Sequence, residues 1–151
     1  MKQSIDFLPE RKQRDLHELV GLIRDEVKDV VMIILYGSYA RNTYVELDIR
    51  RDYGGGKIQY MSDYDILVVS KKRLGSRTVT VSSRVKSSFL KNKNADTQTR
   101  PQIINESITK FNNALSEGRY FYVDILTEGI VLYDSGECQL ATPCELNYSE
   151  I

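Results

Sequence analysis

One histidine and two cysteines in 151 residues leave little from which to build a soft-metal centre. The cysteines, Cys138 and Cys144, lie close together near the C-terminus. Such a pair, with a lone histidine elsewhere, does not make a zinc site. They read as reduced thiols of a cytosolic protein. An excess of charge of either sign is also missing: 21 Lys+Arg balance 21 Asp+Glu, for a formal net charge of zero. Nucleic-acid-binding surfaces usually show a basic excess, so nucleic acid is not an expected partner. Because binding sites are local, a small acidic or phosphorylated ligand remains compatible with this balance. No apolar run approaches membrane length, and the N-terminus lacks the apolar core of a leader. The chain therefore reads as soluble, cytoplasmic and without a membrane partner. Internal repeats and low-complexity segments are absent.

What is present suffices for one ordinary domain with a real core: 41% of residues are hydrophobic and 28% charged. Leu16, Leu19, Val20, Ile23 and Val27 recur at spacings of three and four, which predicts a helix over 10–28 with Pro9 in its first turn. Val30 to Tyr36 (VVMIILY) is a short aliphatic run that reads as a central strand buried on both faces. Gly37-Ser38 breaks it, and a short helix is expected within 39–46. The polar stretch 48–60, centred on Gly54-Gly55-Gly56, reads as an exposed hairpin-like excursion. A second strand is expected over 62–70, a helix over 79–90, and a strand over 99–105 with Pro101 near its start or at an edge. Ser107 to Glu117 reads as a helix capped by Ser107 and stopped by Gly118. Arg119 to Leu126 (RYFYVDIL) reads as a third strong strand, and 130–133 as a short returning one. The resulting fold class is α+β, in α/β-like layers: a small mixed sheet with helices packed mainly on one face. The core spans about residues 10–134 and a tail covers 135–151.

The chemistry concentrates in two places. Gly37-Ser38-Tyr39-Ala40-Arg41-Asn42 follows the first strand, and Asp63-Tyr64-Asp65 begins 25 positions after Ser38. Residues i and i+2 of a strand point to the same side, so Asp63 and Asp65 would present two carboxylates roughly 7 Å apart at the backbone. Two such charges repel unless a cation sits between them, and carboxylate oxygens suit a hard divalent ion. Asp124, flanked by apolar and aromatic residues, needs a partner or a metal to be tolerated there. If its strand lies beside that of Asp63, it completes a triad for one or two Mg²⁺ ions. The glycine of the Gly-Ser turn permits close backbone approach to a phosphate, and the following amides and the Ser38 hydroxyl favour an anion. Arg41 would pair with phosphate or clamp a carboxylate. Tyr39 and Tyr64 flank the motif within reach of a base, Lys71-Lys72-Arg73 reads as a solvated loop, and His17 as a surface residue.

Gly-Ser-x-Ala-Arg followed by Ser-Asp-x-Asp-Ile-Leu-Val resembles the nucleotidyltransferase superfamily of DNA polymerase β type, and more narrowly its minimal bacterial and archaeal members. The resemblance covers roughly residues 15–133 and implies the fold of that superfamily. It implies that Gly37, Ser38 and Arg41 serve the nucleotide phosphates, and that Asp63, Asp65 and Asp124 hold two Mg²⁺ ions as the catalytic carboxylates. The substrate implied is ATP or another nucleoside triphosphate, with AMP passed to an acceptor hydroxyl. Asn42 stands where the family often has glycine, and asparagine tolerates the left-handed backbone such a turn needs. The interval between the two motif halves exceeds the usual spacing, and the excess falls on the Gly54-Gly55-Gly56 excursion. That interval and the closing segment 118–134 resemble the subgroup associated with HEPN domains. This implies a HEPN-domain protein as partner, or a fused C-terminal helical domain reached through the tail. On this reading the 151 residues are the free or excised catalytic half. Two alternatives stand beside it: a small-molecule transferase of the aminoglycoside type, and a non-catalytic, antitoxin-like module that binds nucleotide or protein.

Overall fold

The computed structural model describes residues 1–51, 54–55 and 57–143. Its element order is α1 (Glu10–Glu26), β1 (Val30–Tyr36), α2 (Gly37–Arg41), β2 (Asp48–Arg51), β3 (Lys57–Tyr60), β4 (Tyr64–Ser70), α3 (Arg77–Leu90), β5 (Pro101–Ser107), α4 (Ile108–Ser116), α5 (Tyr120–Glu128) and β6 (Ile130–Asp134). Four strands form one mixed sheet in the order β5-β4-β1-β6. β1 runs antiparallel to both β4 and β6, while β4 and β5 are parallel. The fold is α+β, as expected.

β1 occupies an interior position because nearly all of its side chains are apolar and buried. Alternation sends Ile33 and Leu35 to one face, where they join Leu16, Leu19 and Ile23 of α1 and Val81, Val85 and Phe89 of α3. Ile34 goes to the other face, with Leu67, Val69, Phe111 and Leu115 of α4, and Ile125 of α5. Val31 and Met32 both belong to this second face, and the register shift between Val30 and Met32 accounts for the broken alternation. The two long helices thus share one face and the short α4 and α5 cover the other, so helices pack on both faces of the sheet and not mainly on one as expected. Pro101 opens the edge strand β5, where its missing N–H costs no ladder bond.

Ser107 caps α4 by accepting a hydrogen bond from the Lys110 amide. Gly118, at φ +71°, ends that segment. The polar excursion is a hairpin: β2 pairs antiparallel with β3. Its Gly56 lies outside the described residues, as does Cys144.

A second expectation is overturned. Arg119 to Leu126 is not a strand: Tyr120–Glu128 is helix α5. Its β-branched and aromatic composition favours a strand only where a pleated, half-buried slot exists. Here β6 and β4 flank β1 and β5 closes the far edge, so the sheet offers this segment no interior place. Wound as a helix, it turns Tyr122, Ile125 and Leu126 together onto the second core.

Candidate active site

The Gly-Ser turn sits where β1 ends. Gly37 has φ +74°, a left-handed conformation in which a side chain is strained. A second reason reserves this position for glycine. A Cβ on Gly37 would lie 2.3 Å from Asp65 Oδ2 and 3.2 Å from its Cγ. The turn and the second aspartate are therefore in close contact, and the β1–β4 register explains why: Tyr36 pairs with Asp65. α2 runs only from Gly37 to Arg41 and starts earlier than expected. Asn42 ends it at φ 59°, ψ 37°, so asparagine fills the left-handed position as anticipated. The Ser38 carbonyl is occupied by the Thr43 amide at 2.8 Å.

Asp63 lies exposed one residue before β4, and Asp65 is partly buried in its first turn of ladder. Burial first, and then the Asp63 charge, hold the Asp65 carboxyl above its ordinary pKa, while Arg41 works in the opposite direction. Burial and the Asp65 charge also push the Tyr36 phenol up to about 12, so it remains a donor at neutral pH. Crowded negative charge, partly offset by one guanidinium, is the electrostatic signature of this corner.

Asp124 reaches the same corner by another route. On α5 it lines a cavity of about 200 Å³ together with Tyr36, Gly37, Arg41, Phe121, Ile125 and Glu128. Positions 121, 124, 125 and 128 form one helical face. Asp124 therefore stands on a helix opposite the Gly-Ser turn, not on a strand beside Asp63. The strand that does flank Asp65 is β5, whose register partner for Asp65 is Gln102, a neutral residue. Among the described residues no group of three His, Cys, Asp or Glu side chains is close enough to hold one metal ion. Asp63 and Asp65 are brought together with Gly37 and Arg41; Asp124 joins Gly37 and Arg41 across the cavity. Arg41 Nη1 pairs at 3.3 Å with Glu128 Oε2, a residue the sequence did not single out. Only the helical phase of α5 reveals that Glu128 lies one turn beyond Asp124.

Tyr39 and Tyr64 are fully buried and cannot reach a base. Alternation sends Tyr64 to the face opposite its aspartate neighbours, against α1. There Tyr64 Oη donates to Asp15 Oδ2 at 2.8 Å, and Lys12 Nζ donates to Tyr39 Oη at 2.9 Å and Thr99 Oγ1 at 3.2 Å. Burial and Asp15 together raise the Tyr64 phenol far above its usual range. Lys12, only 4% exposed, lies 5.0 Å from the Tyr39 ring centroid, 5.5 Å from Tyr44 and 5.8 Å from Tyr64. This buried cluster ties both motif halves to α1. A charged residue on an otherwise apolar helical face at Lys12 is the sequence signal that points to it. His17 and Lys71-Lys72-Arg73 are exposed, as expected. No described helix is long and apolar enough to cross a membrane.

No protein-family model and no curated protein matches this chain. Among solved structures, the chain is similar to a Shewanella oneidensis complex of a tri-AMPylated HEPN toxin with an MNT antitoxin. The identity is 15% over 83% of this chain and 74% of that one, with a TM-score of 0.44. It is also similar to a toxin–antitoxin complex with AMP-PNP, at 16% identity over 80% of this chain and 73% of that one, TM-score 0.45. A third is a Sulfolobus solfataricus protein assigned provisionally as a nucleotidyltransferase, at 17% identity over 85% and 87%, TM-score 0.43.

Proposed function

We propose that this chain is a divalent-cation-dependent nucleotidyltransferase that passes a nucleoside monophosphate, AMP by resemblance, from a triphosphate to an acceptor hydroxyl. The observation that carries the reading is the contact between Gly37 and Asp65: a turn suited to phosphate lies directly against a carboxylate pair. The donor set fits Mg²⁺. Asp63 and Asp65 supply hard oxygen ligands, and substrate phosphates can supply more. When bound, the ion neutralises charge on the entering and leaving oxygens. On this reading Ser38 donates to the leaving phosphates, and Gly37 lets the backbone approach them. Arg41 offsets the charge at Asp65. Catalysis then rests on positioning and charge neutralisation. A single carboxylate pair with Gln102 alongside supports a site in which the substrate completes the coordination.

The resemblance implies a hydroxyl on a HEPN-type protein as acceptor; a small hydroxylated molecule is the rival. The test is transfer of labelled AMP with Mg²⁺ to each acceptor. Asp63→Ala and Asp65→Ala are expected to abolish transfer while circular dichroism stays that of the parent. Transfer retained by either variant refutes the assignment. A mass gain of one AMP on the HEPN-type protein identifies the first acceptor, and exclusive labelling of the small molecule the second. No calorimetric heat with millimolar ATP and Mg²⁺ would leave the non-catalytic module as the reading.

A further inference from the structure

The cavity between α2 and α5 has a composition that phosphate binding does not explain. Two of its walls are aromatic: Tyr36 at the end of β1, and Phe121, which is 49% exposed despite its size. Their rings meet edge to face with centroids 6.0 Å apart. The polar wall holds Arg41, Asp124 and Glu128, and the Arg41–Glu128 ion pair consumes one of the two carboxylates. Among the described residues the Asp124 carboxylate has no hydrogen-bond or ion-pair partner. Gly37 is among the lining residues, so the cavity borders the turn that touches Asp65. At about 200 Å³ it is smaller than the roughly 300 Å³ or more that encloses a drug-sized ligand, and suits one planar part of a nucleotide.

We propose that this cavity receives the heterocyclic base of the nucleotide, with Tyr36 and Phe121 as aromatic walls and the Asp124 carboxylate accepting a hydrogen bond from an amino group on that base. The proposal rests on the nucleotidyltransferase reading and extends it to base recognition. A base laid against aromatic rings gains stacking energy whatever its identity. The carboxylate then discriminates: adenine offers an amino donor where uracil, like thymine, offers a carbonyl oxygen, which Asp124 repels.

The chain contains no tryptophan, so Phe121→Trp introduces a single fluorescent reporter into this wall. ATP with Mg²⁺ is expected to quench it saturably. Inorganic tripolyphosphate, which has no base, is expected to leave the emission unchanged while competing with ATP. Phe121→Ala, at a half-exposed position, is expected to weaken ATP about tenfold by calorimetry, within the range of a lost stacking contact, and to leave tripolyphosphate affinity unchanged. UTP is expected to bind the parent more weakly than ATP, and Asp124→Asn to narrow that gap. Full ATP affinity in Phe121→Ala, or an ATP–UTP gap unchanged in Asp124→Asn, overturns the base assignment while tripolyphosphate binding leaves the phosphate site standing. If neither ATP nor tripolyphosphate binds the parent, the nucleotidyltransferase reading falls and the base site with it.

Discussion

Replacing Gly37 by alanine separates two costs that the structure places at one atom. The first is conformational: at φ +74° an alanine pays about 1–2 kcal/mol for the left-handed backbone. The second is steric, since the new methyl would sit 2.3 Å from Asp65 Oδ2 and 3.3 Å from its Cβ. That contact must be relieved by moving a partly buried carboxylate, at a cost typical of overpacking, about 1–3 kcal/mol. Together Gly37→Ala is expected to lose about 2–5 kcal/mol. At about 2–4 °C per kcal/mol for a chain of this size, Tm falls by about 4–20 °C. A double-mutant cycle isolates the steric part. In an Asp65→Ala background the clashing oxygen and its Cγ are gone and only the Cβ contact at 3.3 Å remains, so Gly37→Ala should cost little beyond the backbone term. The coupling between the two sites is then about 1–3 kcal/mol by urea denaturation. Equal costs of Gly37→Ala in both backgrounds would show that Asp65 does not abut the turn, and would remove the contact on which the functional reading rests.

Two further outcomes follow from the electrostatics. Because the folded-state pKa of Asp65 is raised, the native state keeps a proton that the unfolded chain has already lost. The associated stability is full below the unfolded pKa and declines as pH rises through the folded one. Asp65→Asn should flatten that decline and exceed the parent in stability at neutral pH; urea midpoints across acid to neutral pH check this, and a parallel pH dependence in both proteins contradicts it. At the buried cluster, Lys12→Ala removes the donor to Tyr39 and Thr99 and opens a void, for an expected loss of about 2–4 kcal/mol. Lys12→Met keeps the volume and should lose less, since apolar replacement of a buried ion is often tolerated. An alanine variant within about 0.5 kcal/mol of the parent would mean that the cluster does not hold α1 to the motif.

The periodic segments were legible because one face of each is apolar at a fixed spacing. Leu16, Leu19 and Ile23 announce α1, VVMIILY announces β1, and Ser107 marks the start of α4. The joining of the Gly37-Ser38 turn and Asp65 in one site entered only as what the family resemblance implies, and the antiparallel pairing of β1 with β4 supplies its physical reason. Segment 119–126 was not legible. Its residues suit either a strand or a helix, and only the filled order of the sheet decides between them. That one decision moved Asp124 from a presumed neighbour of Asp63 to the far wall of a cavity and aligned it with Phe121 and Glu128. It also left Gln102 as the residue beside Asp65. The inward turn of Tyr39 and Tyr64 onto Lys12 and Asp15 belongs to the tertiary structure too, since alternation assigns a side chain to a face but not to a partner. The sequence by itself determined the α+β class, the Gly-Ser turn and the aspartate pair, because these depend on local spacing and chain chirality. The tertiary structure alone decided what surrounds the pair, because contacts between distant segments depend on which elements win the limited places around one core.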